Sequence, residues 1–243
     1  MPRYRDVQVS FGPPLPRVVK YLIIVTTAAF IVQYVVEARG WASPQDWFGL
    51  TPALVIHKFY IWQPFTYLFL HGTFWHILFN MFALWMFGSE LAQRWGARRF
   101  LSYYFFTGVG AAIFNIIVQP SLELPTIGCS GAIYGILLAF AIYFGERTVL
   151  FALIIPMKAK WMVVIMGAIE FLSALQTGGS AISHVAHLGG MLFGYIYLRG
   201  GALPYRLQLR YHEWRRARLR KNFEVYMQDH EREKKDDAGR WIN

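Results

Sequence analysis

Six apolar stretches, at 18–36, 65–88, 100–118, 130–145, 160–176 and 182–199, are each close to the length that crosses a bilayer. A spanning helix needs about 20 mostly apolar residues to cover roughly 30 Å of hydrocarbon. Inside lipid, only helices and closed barrels satisfy their own backbone hydrogen bonds. The spacing therefore predicts an all-α membrane protein, a bundle of six transmembrane helices. Composition points the same way. The chain is 56% hydrophobic and 16% charged, whereas soluble domains average about 45–50% and 25%. A water-soluble enzyme does not fit these values, and neither does a largely disordered chain. The stretch 149–157 is too short to cross and is broken by Pro156, so it reads as an interfacial loop. The first apolar run starts late, with no small-residue cleavage site close behind it, which reads against a cleavable signal peptide. A single cysteine, Cys129, excludes an intrachain disulfide and any multi-cysteine metal centre.

The formal charge of +10 is distributed by loop. Residues 1–20, 89–99, 146–160 and 199–243 carry net +3, +2, +2 and +5, against 0, −1 and 0 for 37–64, 119–129 and 177–181. Basic loops alternate with neutral ones, as the positive-inside rule requires. Both termini are then expected in the cytoplasm, and nucleic acid is not an expected partner. The expected organisation is a cytoplasmic segment 1–17, a six-span domain 18–199 and a basic cytoplasmic tail 200–243. The first part of that tail reads as a basic amphipathic helix on the inner surface, the second as a solvated charge run. Segment 37–64 holds Trp41, Trp47, Phe48, Phe59, Tyr60 and Trp62. Aromatics of this kind sit at headgroup level, so a long membrane-associated first loop is expected.

Polar side chains within the spans mark function by default, because their burial in lipid is costly. They are His71, His76 and Asn80 in the second span, Asn115 in the third, Ser130 opening the fourth, Glu170 in the fifth, and His184 and His187 in the sixth. With the N-terminus inside, spans four and six both begin on the outer side. At 1.5 Å per residue, Ser130 and His187 fall about 6 and about 7.5 Å below the outer surface. Gly190 and Gly194 share a helix face with His187, and small residues let helices approach closely. Span six can thus press on span four with His187 at the contact. A serine hydroxyl beside an imidazole is a minimal activated nucleophile. His76 and Asn80 share one face of span two and can donate toward a developing oxyanion. Asn80 would lie too deep for this unless span two runs on past Gly88.

Three motifs in order resemble the rhomboid intramembrane serine proteases: His76-Ile77-Leu78-Phe79-Asn80, Gly128-Cys129-Ser130-Gly131, and His187-x-x-Gly190-x-x-x-Gly194. Trp62-Gln63-Pro64 and the turn Glu90–Gly96 resemble the flanks of the family's second span. The resemblance covers roughly 18–199 and implies a serine endopeptidase that cleaves transmembrane segments of single-span or multi-span membrane proteins. It implies Ser130 as nucleophile, His187 as general base, and His76, Asn80 and the Ser130 amide as oxyanion hole. It also implies Tyr134 packed on the imidazole, Gly128 and Gly131 keeping the backbone close, and a mobile gate after span five. Gln63 and Cys129 depart from the family's commonest residues at their positions. The site is expected to open to the outer side of a cell (inner) membrane. No cofactor is expected, and no metal, because no HExxH or carboxylate cluster exists.

Plainer readings stand beside these. Ser130 could be a helix N-cap, and the histidines and Asn80 could simply bond across helices. His71 and His184 are assigned no catalytic role, and Asn115 is expected to bond between helices. Glu170 stays open between a protonated, hydrogen-bonded group, an orienting partner for His187, and ion movement. No aspartate is seen to orient His187, so the expected machinery is a Ser–His dyad. A catalytically inactive rhomboid-like chaperone would keep the fold but lose Ser or His. A small-solute transporter would show inverted halves and a charged path, neither of which is evident.

Overall fold

A computed structural model describes residues 12–151, 154–175, 184–200 and 218. The expected tail helix, all but residue 218 of the 201–243 segment, and the expected gate at 176–183 lie outside the described residues. The chain divides into two units, Met1–Tyr197 and Leu198–Asn243; the site described below lies in the first. The element order is α1 (Arg17–Ala38), α2 (Pro44–Phe48), α3 (Pro52–Lys58), α4 (Gln63–Thr66) with a 3₁₀ turn (Tyr67–Phe69), and α5 (Phe74–Ala83). A π turn (Leu84–Gly88) leads into α6 (Ser89–Trp95), α7 (Ala97–Val118) and α8 (Ser130–Phe144). The strands β1 (Thr148–Phe151) and β2 (Ile155–Lys158) precede α9 (Ala159–Ala174) and α10 (His184–Gly200).

The protein is mostly helical, with α1 and α7 long and apolar enough to cross a membrane. A third candidate is Gln63–Phe69 with Phe74–Trp95, bent by 95° at the break. The second apolar stretch is therefore not the single helix 65–88. Thr73, in an extended conformation, restarts the chain, its hydroxyl accepting from the His76 N–H at 3.1 Å. That is an N-cap, and the helix it opens runs through the π turn to Trp95. The expected loop 89–99 is correspondingly absent. Only Gly96, at φ +79°, separates α6 from α7. Helices α8 and α9 have 15 and 16 residues, short of the length a straight crossing needs.

The stretch 149–157 is not a loop but most of an antiparallel strand pair, Thr148 opposite Lys158 and Phe151 opposite Ile155. Pro156 is tolerated there because both strands of a two-stranded sheet are edges. The fold is thus all-α apart from this hairpin. Glu146, at its base, is held by Lys158 at 2.6 Å and by Lys160. These two hydrogen bonds pull its carboxyl from 4.5 to about 2. A depressed carboxyl stabilises the fold above its unfolded value and loses that contribution as pH falls toward the folded one. Between about pH 4.5 and 2, thermal stability should therefore fall more steeply for wild type than for Glu146→Gln, compared by melting curves at low salt, where exposed pairs are least screened.

The first loop is built, not slack. The Glu37 carboxylate accepts from Gln33, Ser43 and Gln45 at 3.3, 3.1 and 3.2 Å, tying α1 to α2. Trp47, Tyr60 and Trp62 stack in sequence, and the Trp62 indole donates to the Trp47 carbonyl at 2.9 Å. Fully buried Gln63 takes the Thr51 N–H at 3.0 Å and donates to Trp47. A two-way bridge between Leu50 and Thr126 joins this loop to segment 119–129. Across the core, the hydroxyls of Tyr67 and Tyr103 each donate at 2.7 Å to the carbonyls of Gly108 and Gly135. These bonds use buried phenols to lock the bend onto α7, and α7 onto α8, where small residues bring backbones close.

Candidate active site

Ser130 is the first residue of α8, with Cys129 as the N-cap residue. The turn before it depends on Gly128 at φ +113°, a conformation L side chains rarely adopt. A Cβ there would also lie 2.7 Å from His76 Nε2, so the ring rests directly on the Gly128 backbone. The Gly128 N–H is fixed by the Tyr67 carbonyl at 2.9 Å. These constraints aim the Ser130 hydroxyl at α10, where its Oγ lies 2.7 Å from His187 Nε2. The approach is permitted by glycine. A Cβ on Gly190 would stand 1.9 Å from the Gly131 carbonyl oxygen, and one on Gly194 would stand 2.6 Å from the Tyr103 hydroxyl. Gly131 in turn faces Ala111, at 2.6 Å from its own hypothetical Cβ.

Tyr134, one turn after Ser130, stacks on the His187 ring with centroids 4.3 Å apart and planes 13° from parallel. Its hydroxyl donates to Glu170 Oε1. The other oxygen of Glu170 accepts from His184 Nδ1 at 2.6 Å and lies 3.0 Å from His187 Nδ1. The His187 approach is the less well aligned of the two, close but bent away from the N–H direction. The expected two-residue machinery thus gains a neighbour: of the readings left open for Glu170, the orienting one fits its place on α9, within bonding distance of His187. His184, set aside in the sequence reading, shares the same oxygen. Spacing alone does not reveal this cluster, because it depends on how α9 and α10 are rotated against each other.

His76 and Asn80 both line the same cavity as Ser130 and His187, about 1720 Å³ in volume. The Asn80 amide donates to the His76 carbonyl at 2.9 Å, which leaves its second N–H available, since an amide nitrogen carries two. The condition placed on Asn80's depth is met, because its helix continues past Gly88. His71 does not join them. It is fully buried at the bend, where its backbone exchanges two bonds with the Gln33 side chain at 3.0 and 3.1 Å. Asn115 bonds Thr126 of segment 119–129 at 3.2 Å rather than another helix. The cavity wall also includes Trp75, Phe79 and Met86 on one side and Met162 and Met166 of α9 on the other. It is a mainly apolar cleft whose polar lining includes the Ser130–His187 pair and the Glu90–Arg147 ion pair, suited to a largely apolar chain segment. Glu170, His184 and His187 present ligand atoms within 4.8 Å of one another. A cation held there would engage the same His187 that meets Ser130.

Residues 58–201, more than half of the chain, match the sequence model of the Rhomboid domain. The chain belongs to the rhomboid family. Rhomboid proteins are in general intramembrane serine proteases, and the matched residues include every one named above except Gln33 and those of the first loop before residue 58. Similar curated proteins include Rhomboid protein 1, mitochondrial, of Saccharomyces cerevisiae, 28% identical over 65% of this chain and 47% of that protein. Rhomboid-like protein 11, chloroplastic, of Arabidopsis thaliana is 26% identical over 72% of the chain and 62% of its own length. The Homo sapiens presenilin-associated rhomboid-like protein, mitochondrial, is 30% identical over 55% and 36%. The alignments thus take in only part of these rhomboid relatives.

Proposed function

We propose that this rhomboid protein is an intramembrane serine endopeptidase with Ser130 as nucleophile and His187 as general base. The observation that carries the reading is the 2.7 Å approach of Ser130 Oγ to His187 Nε2 at the wall of an apolar cavity. In the reaction, Ser130 Oγ attacks a peptide carbonyl while its proton passes to His187 Nε2. The C–N bond then breaks, the amine leaves with that proton, and an acyl-enzyme remains. Water, deprotonated by the same Nε2, attacks the ester, and Ser130 recovers its proton as the acid leaves. The Ser130 N–H, the His76 ring and the free Asn80 N–H would receive the oxyanion.

The substrate class follows from the cavity. A transmembrane helix protects its backbone with internal hydrogen bonds, so segments that unwind easily near one end are the preferred substrates. In this reading all six apolar stretches cross the bilayer, and α8 and α9 do so where it is locally thinned, as short stretches require. Thinning brings water closer to Ser130. The basic loops face the cytoplasm, both termini with them, and the site opens to the opposite side of a cell membrane.

The test is a serine-directed fluorophosphonate on the purified chain, with the adduct mapped, beside cleavage of a panel of single-span proteins with mapped cut sites. Labelling at Ser130 and cuts within or at the edge of the spans are expected. A chain that folds yet takes no label and cuts nothing would be an inactive relative. Removing an oxyanion donor by His76→Ala or Asn80→Ala should lower kcat by roughly 10²- to 10³-fold, with labelling slowed in step. Normal turnover in both variants would leave these side chains a structural role only.

A further inference from the structure

We infer that Glu170 is a positioning residue that extends the Ser130–His187 pair to a three-member array, with Tyr134 and His184 holding its carboxylate in place. The inference rests on the proposed protease reading and adds the group that makes His187 a base in the needed sense. An imidazole can take a proton at Nε2 only while its own proton sits on Nδ1. A buried Nδ1–H without an acceptor is costly, and the opposite tautomer would present an N–H to Ser130 and be inert. The Glu170 side chain is 8% exposed and that of His187 10%, and Oε2 stands 3.0 Å from Nδ1. Water is therefore a poor competitor for that proton.

The surrounding bonds are arranged for this task. The carboxylate faces three donors: the Tyr134 hydroxyl at Oε1, and the His184 and His187 rings at Oε2. Tyr134 links both ends, because its ring is stacked on His187 while its hydroxyl anchors the acid. Helices α8, α9 and α10 all contribute to it, so the array forms only when all three are packed. The His187 contact is bent, and catalytic hydrogen bonds commonly tighten in the reacting complex. When His187 gains the Ser130 proton it becomes a cation beside a fixed anion. The Nδ1 proton stays on the ring throughout, and Glu170 takes none.

A purely structural tie between helices would use the same contacts, so the test must separate the two. Glu170→Gln keeps shape and removes the charge; Glu170→Asp keeps the charge. With the full chain and a transmembrane substrate, Glu170→Gln should lower kcat by roughly 10²-fold or more, leave KM unchanged, and be partly rescued by Glu170→Asp. Turnover within about twofold of wild type, or a loss confined to KM, would overturn the inference, since orienting the base acts on the chemical step. Histidine ¹⁵N spectra of the same proteins judge the tautomer without any activity. The His187 signal, assigned by its loss in His187→Asn, should report Nδ1–H in wild type and shift toward Nε2–H in Glu170→Gln. An unchanged tautomer would overturn the proposal. A wild-type chain with no Ser130-dependent cleavage sinks the protease reading instead, and the spectra then decide Glu170 alone.

Discussion

Ser130→Ala is expected to stop cleavage of any transmembrane substrate, lowering kcat by roughly 10⁴- to 10⁶-fold, while the protein keeps its fold. The size follows from what is removed. Without the hydroxyl no acyl-enzyme can form, and what survives in such sites is only the modest help of oxyanion donors and binding. The fold should persist because the hydroxyl bonds only His187 among the described residues and Gly128 and Cys129, not Ser130, set the turn and the cap. The assay is a single-span substrate in detergent and in proteoliposomes, with the cut mapped and the thermal midpoint measured alongside. Cutting at the same bond with more than about a hundredth of the wild-type rate would place the nucleophile elsewhere, because non-covalent assistance alone does not reach that level.

The helices α1 and α7 were legible because their signal is local: an unbroken apolar run of bilayer length with a basic N-terminal end. The bend at 70–73 was not, although Thr73 is a capping residue. An apolar run carries no information about direction, and the cap is visible only once the chain is known to turn. The hairpin escaped for a similar reason, since Val149 to Phe151 and Ile154 to Met157 lack the alternation that marks a strand. In the candidate site, Ser130 and His187 were legible from glycine spacing, which reports where two helices can touch. Glu170 was noticed as an intramembrane acid with His187 as one of several open partners, and the sequence did not choose among them. Whether a carboxylate on α9 reaches a ring on α10 depends on helix rotation, and rotation is fixed by packing that no single stretch encodes. His71, assigned no catalytic role in the sequence, sits at the bend, with its ring edge-on to His76. Its backbone pairing with Gln33 is a joint between α1 and the bend.

The same glycine spacing yields a second large effect, readable as a contrast between two alanines on neighbouring helices. At Gly190 an added Cβ would meet three backbone atoms of Gly131, the oxygen at 1.9 Å, the carbonyl carbon at 2.7 Å and Cα at 3.1 Å. Backbone cannot rotate aside, so α8 and α10 must part by about 1 Å or more, and overpacking of this kind costs about 3 kcal/mol. His187 lies one turn from Gly190, and Ser130 is next to Gly131, so the same displacement opens the Ser130–His187 contact. A misplacement of about 1 Å can cost roughly 10²-fold in rate. At Gly167 of α9 the added Cβ would meet only the flexible Met191 side chain, at 3.5 and 3.8 Å, which is ordinary contact. There alanine relieves the helix of a glycine and should stabilise by ~0.5–1 kcal/mol with activity retained. Gly190→Ala should therefore lose stability and turnover together, and Gly167→Ala neither, in paired melting and cleavage measurements. A Gly190→Ala protein as stable and active as wild type would mean that α8 and α10 do not meet backbone to backbone, and the route by which this sequence brings serine to histidine would have to be another.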